Sequence, residues 1–353
     1  MSNLSLAITC RTWIRDSKLL FDYRSRDYWQ EKKIMNSGGC LALNSNTELE
    51  GSEASAENSI VLKICKLGDS FIIAPTNKFP LGEVISKTKR NQKLGTALDE
   101  GDIFKIGRIF FKVKELSLNC KKNESISLIV TDAQDDNTCR ICFTGLETSA
   151  NPLVSLCSCI GTMKYTHLSC LQNWILSKAK IVKNPYHESY KWKSLSCDVC
   201  NDKFLPSISY NGTDIEIAKI NKPESSYMIL EEIQGDESCY ALHVIDTDKI
   251  PINIGRSRYC ELKINDMSVS KIHATIELVN GKFYIRDNYS KFGTLIFLDK
   301  PIAIKKNKQR FVQVNNTFIS LKVYEEWSIR DFFRFCCIKG EKVVPVNYEV
   351  VKV

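Results

Sequence analysis

Along most of the chain, apolar positions fall in short runs broken by Gly, Asn, Asp and Ser, a spacing that suits strands and not helices. Ile60 to Cys65 and Phe71 to Ala74 read as strands. Asp102 to Ile106 and Ile109 to Val113 flank Gly107-Arg108 and predict a hairpin. The same shape returns at Phe311 to Val314 and Phe318 to Val323, around Asn315-Asn316, residues that tolerate positive φ. Tyr240 to Ile245, Ile252 to Ile254, Glu261 to Ile264, His273 to Leu278 and Phe283 to Arg286 add short strands with turns at close intervals, as in a β-sandwich. Two related β regions are therefore expected, one on each side of a central segment. Within that segment Leu171, Trp174 and Ile175 stand at i, i+3 and i+4, one face of a helix.

The pattern fails in a few places. Asn44 to Asn58 is rich in Ser, Glu, Asn and Ala with no apolar period, so residues 1–58 are expected to be variable and partly disordered. Glu124 to Thr138 and Pro206 to Pro223 read as linkers, and Lys87 to Lys93 as a basic turn.

Composition narrows the class of molecule. A chain of 353 residues has room for two or three domains, and 43% apolar with 25% charged residues is ordinary for a globular protein. No run of about 18 apolar residues occurs, so no membrane insertion is expected, and the Ser, Thr and Arg within Met1 to Trp13 argue against a signal peptide. The expectation is a soluble protein of the cytoplasm or nucleus. The net charge of +8 includes clusters such as Lys305, Lys306, Lys308 and Arg310, without a basic stripe interleaved with aromatics, so nucleic acid is not an expected partner. The fifteen cysteines then read as reduced thiols and metal ligands, not disulfides.

Seven of those cysteines and one histidine form four pairs: Cys139-x2-Cys142, Cys157-x-Cys159, His167-x2-Cys170 and Cys197-x2-Cys200. Zn²⁺ takes four tetrahedral thiolate or imidazole ligands, and a short loop lets two of them reach one ion, so these residues predict two Zn²⁺. Four protein ligands leave no position for water, which makes the zinc structural rather than hydrolytic. Spacing leaves the pairing open between a sequential and an interleaved arrangement. The remaining cysteines, Cys10, Cys65, Cys260, Cys336 and Cys337 among them, read as small buried hydrophobes.

The neighbours of the ligands carry a resemblance. Cys139-Arg-Ile-Cys142, Asn151-Pro152-Leu153, Gly161-Thr-Met-Lys-Tyr165 and Cys170-Leu-Gln-Asn-Trp174-Ile175 resemble the RING-CH (RINGv) zinc finger over residues 135–206. The PHD finger shares the ligand order but keeps an aromatic two residues before the seventh ligand. Leu195 stands there, and Trp192 lies too far upstream. The RING-CH resemblance implies a small α+β cross-brace, with Cys139, Cys142, His167 and Cys170 on one ion and Cys157, Cys159, Cys197 and Cys200 on the other. It implies an E2 ubiquitin-conjugating enzyme as partner, with Ile141 and Trp174 forming the apolar groove that receives it. It also implies no catalytic residue on this chain, since the E2 cysteine carries ubiquitin as a thioester. Asn201 departs from the pattern: many RING fingers place a basic residue just after the last ligand, and Lys203 is the candidate substitute.

A second resemblance lies toward the C-terminus. Ile254-Gly255-Arg256-Ser257, then Ser268-Val-Ser270-Lys271-Ile-His273-Ala274, then Asp287 to Thr294 with Gly293-Thr294, resemble the forkhead-associated (FHA) domain. That family carries Gly-Arg, Ser-x-x-His and Gly-Thr on loops at one end of a β-sandwich. The resemblance implies that Arg256 and Ser270 hold the phosphate of a phosphothreonine and that Lys271 adds charge, while Gly255, His273 and Gly293 are structural. A phosphate carries about −1.5 to −2 charge at pH 7 and suits a guanidinium with hydroxyl donors. Phe292 replaces the Asn with which the family holds the peptide backbone. No histidine precedes His167, so the earlier β region cannot carry Ser-x-x-His and reads as a degenerate FHA-like unit without phosphate binding.

The expected molecule is multidomain and mainly β, with a variable segment (1–58), a degenerate FHA-like β unit (59–120), a RING-CH finger (135–206), an FHA domain (220–325) and a tail (326–353). The expected function is that of a RING-type E3 ubiquitin ligase that binds a charged E2 and recruits phosphothreonine-containing proteins. The alternative is a non-enzymatic, zinc-stapled phosphopeptide adaptor.

Overall fold

The computed structural model describes residues 4–13, 20–43, 49–50, 60–76, 80–85, 95–118, 137–146, 148, 151–210, 213–233, 240–247 and 251–325. The basic turn at 87–93, nearly all of 44–58, most of the first linker and the tail lie outside these residues.

Alternation makes the strands. In β5 (Ile60–Leu67) Leu62 and Ile64 are buried while Lys63 and Cys65 are exposed. Among the described residues ten strands precede the ligand-bearing segment: β1 (Leu4–Trp13), β2 (Tyr28–Met35), β3 (Gly39–Leu43), β4 (Leu49–Glu50), β5, β6 (Ser70–Pro75), β7 (Gly82–Val84), β8 (Thr96–Leu98), β9 (Ile103–Ile106) and β10 (Ile109–Ser117). The central segment holds β11 (Leu153–Val154), β12 (Thr166–His167), helix α1 (Leu168–Ser177), β13 (Lys180–Asn184), β14 (His187–Trp192), β15 (Ser207–Tyr210) and β16 (Thr213–Glu216). Ten more strands follow: β17 (Tyr227–Ile233), β18 (Tyr240–Asp246), β19 (Ile252–Gly255), β20 (Leu262–Lys263), β21 (Ala274–Val279), β22 (Lys282–Asp287), β23 (Thr294–Phe297), β24 (Ile302–Lys305), β25 (Gln309–Val314) and β26 (Thr317–Glu325). Both expected hairpins form, β9–β10 and β25–β26.

The two sets of ten repeat one another with an exchange. One large sheet runs β13-β14-β18-β17-β10-β9-β23-β7-β25-β26-β1-β2, and two smaller sheets run β20-β19-β21-β22-β8 and β24-β6-β5-β3-β4. Matching β1 with β17, β2 with β18 and so on to β10 with β26 maps the strand order of one half onto the other, with one difference in sense: β3–β4 is antiparallel and β19–β20 parallel. In each half the last three strands come from the other set. β8 closes the sheet of β22, and β24 closes the sheet of β6. β10 pairs with β17, and β26 with β1. β7 and β23 pair with each other at the centre. The N-terminal unit therefore begins at β1, ahead of residue 59, and shares its last strands with the C-terminal one. Periodicity could not reveal this, because a strand alternates in the same way whichever sheet it enters.

Each half has its own core. Leu6, Ile8, Phe71, Ile73, Val312 and Leu321 lie in one. Phe104, Phe111, Leu230, Ile254, Ile276 and Ile285 lie in the other. A third core joins α1 to the sheet through Leu171, Ile175, Tyr190, Trp192, Ile229 and Leu242. β14 is the reason: it pairs with β18 from His187↔Ile245 to Trp192↔Tyr240, so the central segment extends the large sheet. The expected linker at Pro206 to Pro223 is likewise built in. It contains the β15–β16 hairpin, and Ile217 and Ala218 are fully buried in or against the third core. Ser117 pairs with Tyr227, so the chain leaves and re-enters the large sheet at neighbouring points and the central segment is an insertion between β10 and β17.

Candidate functional site

The eight sequence-predicted ligands gather in two quartets. Sγ atoms of Cys139, Cys142 and Cys170 with a ring nitrogen of His167 form one, and the Sγ atoms of Cys157, Cys159, Cys197 and Cys200 form the other, all within 4.8 Å of one another in each. This is the interleaved order. The donor set fits zinc: thiolates about 2.3 Å from a tetrahedral ion stand about 3.8 Å apart, and Cys159 Sγ lies 3.7 Å from Cys197 Sγ.

Two turns of like geometry set up the quartets. After Cys142, Phe143 takes φ 62° and its N–H donates to Cys139 O; after Cys200, Asn201 takes φ 61° and its N–H donates to Cys197 O. Asn tolerates this left-handed conformation better than other side chains, so the departure at Asn201 has a conformational reason. Backbone N–H groups of Ile141 and His167 point at Cys139 Sγ, and that of Val199 at Cys197 Sγ, at 3.3–3.4 Å. His167 turns Nδ1 toward Cys142 Sγ at 3.2 Å, and its Nε2 donates to Leu146 O at 2.8 Å, which fixes the tautomer that leaves Nδ1 free to ligate.

The thiols of each quartet titrate apart. Cys142 is drawn down to about 6, chiefly by the Thr144 hydroxyl. Burial raises Cys197, but the N–H groups of Cys200 and Val199 and the Arg140 guanidinium outweigh it and bring it to about 6. Burial pushes Cys159 up to about 12 and Cys170 up to about 11. Against its burial Cys139 is lowered too, by the N–H groups of Cys142, His167 and Ile141, so each quartet has at least one thiol drawn toward the thiolate, the form that takes a metal.

Arg140 escaped the sequence reading. It sits in the loop of the first quartet, yet its guanidinium reaches Cys159 Sγ at 3.5 Å and Cys197 Sγ at 3.6 Å in the second, and donates to Met163 O at 3.1 Å. Its position between two ligands was the available signal. Ile141, beside it, is 37% exposed. Trp174 is half-buried, edge-on to Phe204 at 6.3 Å, with Lys178 Nζ 4.1 Å over its ring. Elsewhere in the finger Phe143, Leu146, Ile160 and Leu205 are exposed, so it presents more apolar surface than the two residues expected.

The loops of the second resemblance also come together. Arg256 N donates to Ser270 O and Ser257 N to Lys271 O, which zips the first loop to the second. Arg256 Nε donates to Val269 O at 3.3 Å, laying the guanidinium along that loop. Lys291 N donates to Ser270 Oγ at 3.1 Å, so this hydroxyl is oriented by the third loop and keeps its own proton to give. His273 is fully buried; its Nδ1 accepts from Ser270 N at 3.1 Å and its Nε2 donates to Gly293 O at 3.0 Å. It ties the loops and faces no ligand. A Cβ on Gly255 would lie 2.3 Å from Lys271 O, so the close approach of the first two loops needs glycine. Gly293 has φ 69° and lies against the Tyr23 ring. Arg256 and Lys271 are exposed and Ser270 is half-buried. Phe292 packs on Trp13 of β1 at 6.0 Å between ring centroids, an apolar contact with the exchanged partner that Asn could not make. Arg108, at the turn of the first hairpin, is occupied structurally: its N–H donates to Ser268 Oγ and its guanidinium pairs with Asp266.

Comparison with known proteins agrees with this geometry. The RING-variant domain family matches residues 139–200, and the FHA domain family matches residues 252–320. The yeast (Saccharomyces cerevisiae) ERAD-associated E3 ubiquitin-protein ligase DOA10 is 40% identical over 70 residues, 20% of this chain and 5% of that protein. The mouse (Mus musculus) E3 ubiquitin-protein ligase MARCHF7 is 27% identical over 103 residues, 28% of this chain and 13% of that protein. The rat (Rattus norvegicus) probable E3 ubiquitin-protein ligase MARCHF10 is 30% identical over 90 residues, 25% of this chain and 11% of that protein. This chain thus matches only a small part of the length of these relatives. No solved structure matches. The relatives correct one expectation: a soluble cytoplasmic or nuclear placement does not stand, since DOA10 among them is an ERAD-associated ligase. No helix among the described residues is long and apolar enough to cross a membrane. The chain carries a RING-variant (RING-CH) finger inserted beside a forkhead-associated domain.

Proposed function

We propose that this chain is an E3 ubiquitin ligase whose finger holds two Zn²⁺, one per quartet, and docks a ubiquitin-charged E2 on the apolar surface around Ile141 and Trp174. The observation that carries the reading is the interleaved pair of quartets in a finger that also exposes several large apolar side chains. Zinc, when bound, supplies cross-linking alone, roughly 10–16 kcal/mol of apparent binding energy in finger peptides. Cys139, Cys142, His167 and Cys170 hold one ion; Cys157, Cys159, Cys197 and Cys200 hold the other. No side chain of this chain attacks. A substrate lysine displaces the E2 thiolate from the ubiquitin thioester, and the finger contributes proximity and orientation. Arg256, Ser270 and Lys271 gather phosphothreonine-bearing proteins to it.

Reconstitution with E1, a panel of E2 enzymes, ubiquitin and ATP tests the first half. Wild type is expected to build chains with at least one E2, and Trp174→Ala to lower the rate at least tenfold with both metals retained. Zinc-loaded wild type that forms no chains with any E2 sinks the ligase reading and leaves the adaptor. For the second half, Arg256→Ala is expected to abolish binding to phosphothreonine peptides. Equal binding of unphosphorylated peptides by wild type refutes it.

A further inference from the structure

The three loops that carry the phosphate-binding residues hold an unassigned apolar rim. From 251 to 325 the exposed large apolar side chains are Tyr259 (74%), Met267 (82%), Ile272 (49%) and Tyr289 (52%). Tyr259 lies in the loop after Gly255-Arg256, Met267 and Ile272 lie on either side of Ser270, and Tyr289 lies in the loop that ends at Gly293. Scattered single exposures on a protein surface need no explanation. Here all four fall in the three loops whose backbones are tied together around Arg256 and Ser270, and the strands of the region expose none.

The rim is held in place. Arg258 donates to the Tyr259 hydroxyl at 2.7 Å and lies over its ring, 4.9 Å from the centroid. Cys260 Sγ donates to Lys271 O at 3.2 Å, which fastens the backbone beside Ile272. Tyr289 is braced through its carbonyl, which accepts from Arg24 at 2.6 Å, and Tyr23 N donates to Lys291 O at 3.2 Å. The charges interspersed are Arg256, Arg258, Lys271 and Lys291, with Lys291 paired to Asp22 and the nearby Asp266 paired to Arg108. A ligand for this surface needs one strong negative charge at its centre and apolar groups around it. Basic flanks would meet the same cations and be repelled.

We propose that, within the phosphothreonine reading on which this rests, the preferred ligand carries large apolar residues on both sides of the phosphothreonine and no Lys or Arg next to it. Loops whose backbones are already tied together lose little freedom when a partner covers their side chains, which favours the use of those side chains as specificity contacts.

The test uses the full chain and fluorescence anisotropy with four probes. These are phosphothreonine peptides flanked by Leu, Ile or Phe, the same flanked by Ser, the apolar-flanked peptides without phosphate, and vesicles of phosphatidylcholine with phosphatidylserine and phosphoinositide. Apolar flanks are expected to tighten binding about tenfold over Ser flanks, the scale of burying two or three such side chains in part. Met267→Ser with Ile272→Ser is expected to erase that preference and leave the Ser-flanked peptide unchanged. Equal affinity for both flank sets overturns this inference and leaves phosphothreonine binding standing. Failure of every phosphopeptide overturns the parent reading instead. Binding to vesicles that Met267→Ser removes, with peptide preference intact, assigns the rim to a membrane surface and also overturns the inference.

Discussion

Arg140 stands between Cys139 and Cys142 of one quartet, and its guanidinium reaches two thiols of the other. The eight residues of the two quartets were legible because metal chemistry restricts residue type and spacing together; their interleaved grouping was not legible from spacing and came from the resemblance. Arg140 was not legible either, because its work is done across the finger on Cys159 and Cys197, far away in sequence. A Cys₄ site with Zn²⁺ carries a net charge two units below neutral, and a cation hydrogen-bonded to two of its thiolates offsets part of it. Arg140→Ala is therefore expected to weaken one of the two zinc sites by about tenfold while Arg140→Lys restores part of the loss. Chelator competition on the zinc-loaded chain checks this; identical release of both ions from wild type and Arg140→Ala contradicts it. Phe292 shows the converse limit. Its identity was visible as a departure from the family, but its reason, the Trp13 ring, lies on a strand from the opposite end of the chain.

Among elements, β14 has the largest consequence. The gap between Cys170 and Cys197 was read as room for a helix, and α1 is there, with Leu168, Leu171 and Ile175 buried. The β13–β14 hairpin in the same gap was not read, and it joins finger to sheet. A buried polar row crosses the junction. Ser189 Oγ lies 2.6 Å from His187 Nε2 and 2.7 Å from His243 Nδ1, and His243 Nε2 lies 3.2 Å from Glu232, which also pairs with Lys191. Burial, then the neighbouring His243 and Lys191, push His187 down to about 3, and burial lowers His243 as well. The unfolded chain titrates its histidines near 6.5. Between that pH and the folded value the unfolded state binds more protons. This stabilisation is therefore complete above about pH 6.5 and falls as the solution is acidified. At pH 5 the His187 share amounts to a loss of about 2 kcal/mol. Urea midpoints at pH 7.5 and 5.0 are expected to converge in His187→Gln relative to wild type. An unchanged difference rules the histidine out as the source.

At the scale of the whole molecule, the sequence showed two related β regions and two echoing hairpins, and not the exchange of strands between them. Both hairpins, β9–β10 and β25–β26, were visible as local patterns; their partners β17 and β1 are set by long-range packing, to which alternation is blind. The exchange makes the halves mutually dependent. A protease site inserted between Ser117 and Asn137 and then cut is expected to leave two fragments that co-elute in native buffer and part only in denaturant. Fragments that separate in native buffer would mean that the exchanged strands do not hold the halves together.

The pairing of β14 with β18 has one more consequence. The finger joins the large sheet through β14, and the sheet that carries most of the recognition loops packs on that large sheet in one core, so the span from a docked thioester to a captured phosphothreonine is set by packed structure and not by a swinging linker. On the proposed function the chain acts as a ruler. Which lysine of a client is modified is decided by the client's own tether between phosphorylated residue and lysine. Tethers too short to span the gap give nothing, a matched length gives the highest effective concentration, and longer ones fall away roughly as the −3/2 power of their length.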